Sequence, residues 1–475
     1  MLELSHKQEV DWSNTRVLIK DANFPAPFES IVEYSSPARG PWNIVHTGML
    51  MPESHQIFVC AQSCLRGVVL TAAEMGAEER FSMITIQEHN VMDGDMEKLI
   101  IDGVTDIVHK LPARPRAILL FTSCIHHFIG CDLQYVYNQL GQLFPDIDIT
   151  DCYMNPTMRK TLTPPDVKMR QQLYSVLHQT TERDNGVNFI GNNFATDTNG
   201  ELGVIFKEAH CFARDICTAK TYDEFQLMAK SCLNISTNPA AVLAGETLTK
   251  RFGTPHLYLP LSYDFDEIDD CISKLCEALS SLLHHDSDFT CNKLSFSKQK
   301  DEAETSLLQT AEILGGTPIA VDYTSTSRPL GLAKLLLSHH FNVVSVYADS
   351  FIDEERKSFD WLKEHAPTLQ IYATIHPKMA MMPACTNGIC EHSLYDDMIT
   401  FINNSEQTSS SNMTIAIGQK AAYFTNTKHF VNMIEGSGLW GYYGIIKLMD
   451  LIKDAYQNEK DTAKTIQIKG WGSKA

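Results

Sequence analysis

Three features predict an α/β fold of three Rossmann-like, doubly wound parallel-sheet units. Short apolar runs alternate along the chain with segments whose apolar residues recur at helical spacing. Two of these runs, His55–Val59 and Ala117–Thr122, stop at cysteines, Cys60 and Cys124, on the edge where ligands bind in open parallel sheets. The 475 residues are 44% hydrophobic and 20% charged, enough for several ordinary globular cores.

The elements follow in order. Residues 1–54 read as an N-terminal arm, broken by Pro25, Pro27, Pro37, Pro41 and Pro52, with Phe24, Phe28, Tyr34 and Trp42 to pack onto a neighbour. Residues 55–185 form the first Rossmann-like unit, which carries the cysteines. After Cys60, the residues Leu65, Val68, Val69, Ala72 and Ala73 mark one helical face, closed by Gly76. Phe81–Ile86 reads as a strand. Met96, Leu99, Ile100, Val104, Ile107 and Val108 mark a helix that Pro112 ends. Ala117–Thr122 is the next strand, Leu133–Leu143 a helix, and Pro145–Ile149 a strand that DCYMNP leaves. Asn155–Pro165 reads as a linker and Val167–Gln179 as a helix.

A second unit, 186–310, opens on VNFIGNN, includes a helix over Ala240–Phe252 and continues through the amphipathic helix Asp264–Leu283 into a polar segment, His284–Asp301. The third, 311–475, alternates PIAVDYT, Gly331–His339, NVVSVYAD, Glu354–His365, LQIYATI and MTIAIG, then closes on the helix GLWGYYGIIKLMDLIKDAY. No internal repeat stands out.

Charge and composition exclude several classes. A net charge of −19 argues against nucleic acid, which asks for a basic face. No apolar run approaches the roughly 18–20 residues that span a bilayer. The first residues lack the apolar core of a secretory signal. An odd count of 13 cysteines fits a reducing, cytoplasmic setting, where thiols are buried, metal-bound or catalytic rather than paired.

The cysteines carry the chemistry. If a helix begins at Cys60, then Cys64 shares its face; Cys124 ends the neighbouring run and Cys131 lies one loop beyond. Four thiolates suit a soft-metal site, iron–sulfur first and zinc second. The competing reading is that each is a small buried apolar residue. His126, His127 and Glu88 fall on the same edge as candidate proton relays. The pair Cys385 and Cys390 has a loose spacing, and Cys211, Cys217, Cys271 and Cys276 fall in helical patterns. There is no GxGxxG or Walker A pattern, so ATP is not expected to bind this chain.

The order Cys60, QEHNVMDGDMEKL, FTSCIHHFIGCDL, a Pro-containing linker and VNFIG resembles nitrogenase component 1 and its relatives, and weaker similarity runs on through RFGTP to GYYGIIKLMDLI. The resemblance implies an iron–sulfur cluster, [4Fe-4S] or a larger P-cluster-like cluster, at an interface with a homologous second subunit or an identical chain. It also implies an ATP-dependent iron protein as electron donor. Cys60 and Cys124 match the family's second and third cluster cysteines. The first should lie near Glu33–Ser36, where no Cys stands; either Ser35 or Ser36 replaces it through oxygen, or Cys64 or Cys131 supplies the thiolate, or the cluster is altered. Where the family's catalytic subunit has Cys and His ligands for its active-site cofactor, this chain has Thr237 and Val431, with Cys232 and His429 out of register. The implied function is therefore a subunit of a nitrogenase-like reductase, substrate unknown and active in a complex. The alternatives are a non-enzymatic scaffold for metallocluster assembly and a metal-free protein that binds an organic ligand at the same crevice.

Overall fold

A computed structural model describes residues 12, 14–29, 44–158, 161–283, 294–382 and 413–461. Ser35, Ser36, Cys385 and Cys390 lie outside the described residues. The chain divides into two compact units. One takes its described residues from 41–260 and 270–294, the other from 1–40, 261–269 and 295–467.

The first compact unit holds two four-stranded parallel sheets. One is ordered β3-β2-β4-β5, from β2 (Ser54–Ala61), β3 (Phe81–Ile86), β4 (Ala117–Ser123) and β5 (Asp148–Met154). Every residue of β4 and all but the last of β2 are buried, because helices cover both faces. Phe58, Cys60, Phe121, Cys152 and Met154 pack on one face with α1 (Ile44–Met49), α2 (Gln62–Glu74) and α7 (Pro165–Leu173). Ile57, Val59, Ile118 and Leu120 pack on the other, toward α4 (Met96–Lys110) and α6 (Leu133–Leu143). The Phe58 and Phe121 rings stack at 4.1 Å across β2 and β4. Between these elements lie α3 (Glu88–Asp93) and α5 (Cys124–Phe128).

The other sheet of this unit is ordered β7-β6-β8-β9, from β6 (Gly186–Phe189), β7 (Phe212–Asp215), β8 (Leu233–Ser236) and β9 (His256–Tyr258).

In the second compact unit, β10 (Pro318–Asp322), β11 (Asn342–Tyr347), β12 (Gln370–Tyr372), β13 (Ile415–Ile417) and β14 (Phe430–Val431) run parallel in the order β12-β11-β10-β13-β14. The arm supplies β1 (Arg16–Leu18), which pairs antiparallel with β12 and covers that edge. The aromatic arm residue Phe24 packs on Phe351 and Phe359 of the same unit.

Several boundaries differ from the sequence reading. β2 runs on to Ala61, so Cys60 is a strand residue and Cys64 the third residue of α2; the two do not share a helix face. β5 runs to Met154, past the expected Ile149, because Cys152 and Met154 alternate into the core. A helix (Ser297–Leu314) begins inside the stretch His284–Asp301 read as a polar segment; its face toward the core is only Ala303, Leu307, Thr310 and Leu314. Cys211 and Cys217 flank β7 rather than lying in helices.

Burial also sets an acid limit on the first sheet. His55 on β2 is 4% exposed and its Nε2 lies 2.7 Å from Ser82 Oγ. Burial, with Arg80 nearby, lowers its pKa to about 4. The folded state therefore favours neutral imidazole, and the unfolded chain binds the proton more readily. This contribution is complete above about pH 6.5 and is lost as the pH falls toward 4, up to about 3 kcal/mol in all. His55→Gln is expected to flatten that part of the stability–pH curve in urea titrations between pH 7 and 4.5; the same slope in both proteins would refute the assignment.

Candidate metal centre

The carboxyl edge of the β3-β2-β4-β5 sheet gathers the reactive side chains. The ladder pairs Val59 with Thr122 and Ser123 with Met154. One step further, Cys60 stands beside Ser123, and Cys124 follows as the first residue of α5. Cys60 is fully buried, Cys124 half-buried and Cys64 exposed. Burial, with the nearby Cys64 and Cys124 thiols, pushes the Cys60 thiol up to about 12. Cys60 thus lies within the field of both Cys64 and Cys124.

Cys131 is placed differently. Its backbone N–H bonds to His126 O at 2.9 Å, and its thiol bonds to the Glu97 carboxylate, which also accepts the Asp132 N–H at 2.7 Å. Burial and that carboxylate push Cys131 up to about 12.

The α5 turn braces Cys124. Ser123 is its N-cap, and His126 Nδ1 lies 3.1 Å from both the Ser123 N–H and the Ser123 carbonyl oxygen. His126 is 1% exposed, burial lowers its pKa, and its Nε2 has no hydrogen-bond partner. His127 is exposed, with its ring 6.0 Å from that of Tyr153, and Glu88 is exposed in the first turn of α3. Helix α2 starts at this edge with no side-chain cap.

Sequence reasoning overlooked Asn155, the residue after β5. It is 2% exposed and its Oδ1 has no partner. Its position next to a proline at a strand end was the only signal available.

The other positions weighed from the sequence are engaged elsewhere. Thr237 Oγ1 donates to Asn192 Oδ1 at 3.0 Å. Val431 is buried in β14, and His429 Nδ1 lies 2.9 Å from Ala455 O. Cys232 Sγ bonds to Gly186 O at 3.3 Å, at the amino end of its sheet.

The sequence profile described as Nitrogenase component 1 type Oxidoreductase matches residues 45–454. The chain belongs to this family. Two solved structures share the nitrogenase component 1 fold over nearly the whole length. One, titled "Nitrogenase Cp1 at pH 6.5", is 15% identical with a TM-score of 0.59, and covers 90% of this chain and 93% of its own. Another, "Nitrogenase Cp1 at pH 5", is 12% identical with a TM-score of 0.52 and covers 94% of each. Comparison with curated proteins gives no match. Family membership makes the chain a nitrogenase-like subunit in general terms, and several parallel-sheet α/β domains are what the fold shows. Among the described residues no helix is long and apolar enough to cross a membrane.

An iron–sulfur cluster can be tested against these donors. A single metal ion requires its ligands to converge on one point, and among the described residues no three His, Cys, Asp or Glu side chains do so. A cluster is wider, and each thiolate binds a different iron. Cys60, Cys64 and Cys124, adjacent but not converged, beside an uncapped helix N-terminus, fit a cluster's partial ligand set. The Cys131 thiol is engaged by Glu97.

Proposed function

We propose that this chain is a subunit of a nitrogenase-like reductase complex. In it, an ATP-dependent iron protein delivers electrons through an iron–sulfur cluster to a substrate or cofactor. The observation that carries the reading is the grouping of Cys60, Cys64 and Cys124 at one sheet edge in a chain of this family.

Bound there, a [4Fe-4S] or larger cluster supplies one-electron relay at a potential set by its surroundings. Cys60 and Cys124 hold it from the ends of adjacent strands, and Cys64 adds a thiolate from the first turn of α2. The α2 N-terminus favours the negative charge of these thiolates. The Ser123–His126 brace fixes the direction of Cys124. His127 and Glu88, open to solvent, bring protons to this edge, and the His126 ring lies within the field of Glu97.

Three thiols leave such a cluster incompletely ligated, so a second subunit, homologous or identical, completes it. Met92, Phe128 and Ile129, exposed by 79, 75 and 40%, are on or beside helices that follow β3 and β4 and provide the apolar surface for it. None of the described cysteines forms a disulfide, consistent with a reducing cytoplasm.

The test is the iron and acid-labile sulfide content, with an EPR spectrum, of protein purified anaerobically with its partner subunit. Bound iron is expected in the wild type and at the same level in Cys131→Ala. Absence of iron under every reconstitution would end the proposal. Loss of iron in Cys131→Ala alone would move the ligand set.

A further inference from the structure

Asn155 presents a physical problem. A buried amide oxygen without a hydrogen bond costs roughly 1–3 kcal/mol in desolvation, and native cores rarely retain one unless it serves another purpose. Asn155 is 2% exposed and its Oδ1 has no partner. Its backbone is ordinary, with its carbonyl oxygen accepting the Met158 N–H at 3.0 Å. The cost therefore lies in the side chain, which an apolar residue of the same size would avoid.

Register shows what lies beside it. β4 and β5 are paired in parallel as far as Ser123 and Met154. The residues that follow the two strands are Cys124 and Asn155. A second buried polar atom without a partner, His126 Nε2, belongs to the α5 turn that begins at Cys124. Both residues lie at the carboxyl end of this sheet, Asn155 directly after β5 and His126 two residues after Cys124, the edge that carries Cys60 and Cys124.

We propose that Asn155 is a positioning residue for the group bound at Cys60 and Cys124: its amide donates a hydrogen bond to a cluster sulfur or to the Cys124 thiolate. The inference rests on the iron–sulfur reading of the site. An amide offers Oδ1 or Nδ2 to the same space by a half-turn of its terminal torsion, so the buried position supplies an N–H donor when an anionic sulfur arrives. A donor to sulfur stabilises the more negative, reduced state and raises the reduction potential.

The experiment compares Asn155→Leu with the wild type in two measurements. In the first, the potential of the iron-loaded protein with its partner subunit is measured by EPR-monitored redox titration. Asn155→Leu is expected to shift it to lower potential. Asn155→Asp, which places a carboxylate there, is expected to shift it further in the same direction. In the second, the melting temperature of the metal-free chain is measured. It is expected to be unchanged or higher in Asn155→Leu, because an unpartnered amide has been replaced by an apolar group.

Wild type that loads iron, with Asn155→Leu at the wild-type potential, overturns the proposal and leaves the iron–sulfur reading intact. A lower melting temperature of metal-free Asn155→Leu also overturns it, since the amide would then be a structural contact or hold a buried water. Wild type that takes up no iron overturns the reading, and this inference with it.

Discussion

Cys60→Ala and Cys124→Ala are each expected to strip most of the iron and acid-labile sulfide from the anaerobically purified complex. Any reductase activity should fall with them, by an order of magnitude or more, since even indirect supports of a metal site are worth tenfold or more in affinity or activity. The two thiols stand at the ends of adjacent strands, so neither can be replaced by a neighbour without moving the sheet. The loss should not come from unfolding. In the metal-free chain, Cys60→Ala removes one sulfur from a packed core, which costs about 1 kcal/mol, a typical single-mutation effect. Melting curves of the metal-free variants separate the two causes. Cys64→Ala should give an intermediate loss, because its thiol is exposed and sits on the first turn of α2. Full iron content in Cys60→Ala or Cys124→Ala would return these residues to the role of small buried apolar side chains.

The largest effect on stability is expected in the second compact unit, at Asp322. This residue ends β10, which has β11 on one side and β13 on the other. Its carboxylate accepts the Thr324 N–H at 2.7 Å, the Thr324 hydroxyl at 2.5 Å, the Ser325 N–H at 3.1 Å and the Ala421 N–H at 2.6 Å. It is fully buried, and burial raises its pKa while these donors and Lys420 oppose the rise. Lys420 is 2% exposed, with a 3.2 Å bond to Thr374 Oγ1 and its ammonium 4.9 Å from the centre of the Tyr323 ring.

Asp322→Ala would leave buried donors without an acceptor and Lys420 without its nearby carboxyl. A loss of about 3–5 kcal/mol is expected, the range for breaking one partner out of a buried charged network. Gly418→Ala should be comparably damaging. Its φ of 109° lies in the left-handed region, and a Cβ there would come within 2.4 Å of the Asp322 carboxyl. Because part of that cost is the collision with Asp322, the double variant should lose less than the sum of the two. Denaturant midpoints of the single and double variants check this. Strict additivity would mean that the two sites do not touch, and an unchanged midpoint in Asp322→Ala would remove the network from any account of this unit.

Much of this was open to a reader of the residues alone. Ile57–Cys60 and Ala117–Phe121 are apolar without interruption, and only a strand covered on both faces needs that. Their carboxyl ends could therefore be named in advance as the crevice, with Cys60 and Cys124 in it. Helices with a broad apolar stripe, such as α4, announced themselves by period. The helix over Ser297–Leu314 did not, because four core-facing positions in eighteen residues give little periodic signal. Nor did the reach of β2 to Ala61 show, since a strand ends where its partner ends and the partner is distant in sequence.

What the sequence determined by itself is the class of fold and the presence of thiols at strand ends, because both follow from local periodicity. The tertiary structure decided which groups lie near each thiol. Cys131 is seven residues from Cys124, yet its thiol bonds to Glu97, which is distant in sequence on α4. Cys60 and Cys124 are 64 positions apart in number, yet β2 and β4 are neighbours. Strand order and register depend on burying both faces of the sheet at once, a condition on the whole chain that no short stretch of it contains. The same condition placed Asn155 at the sheet edge that carries Cys124, with its amide oxygen lacking a partner.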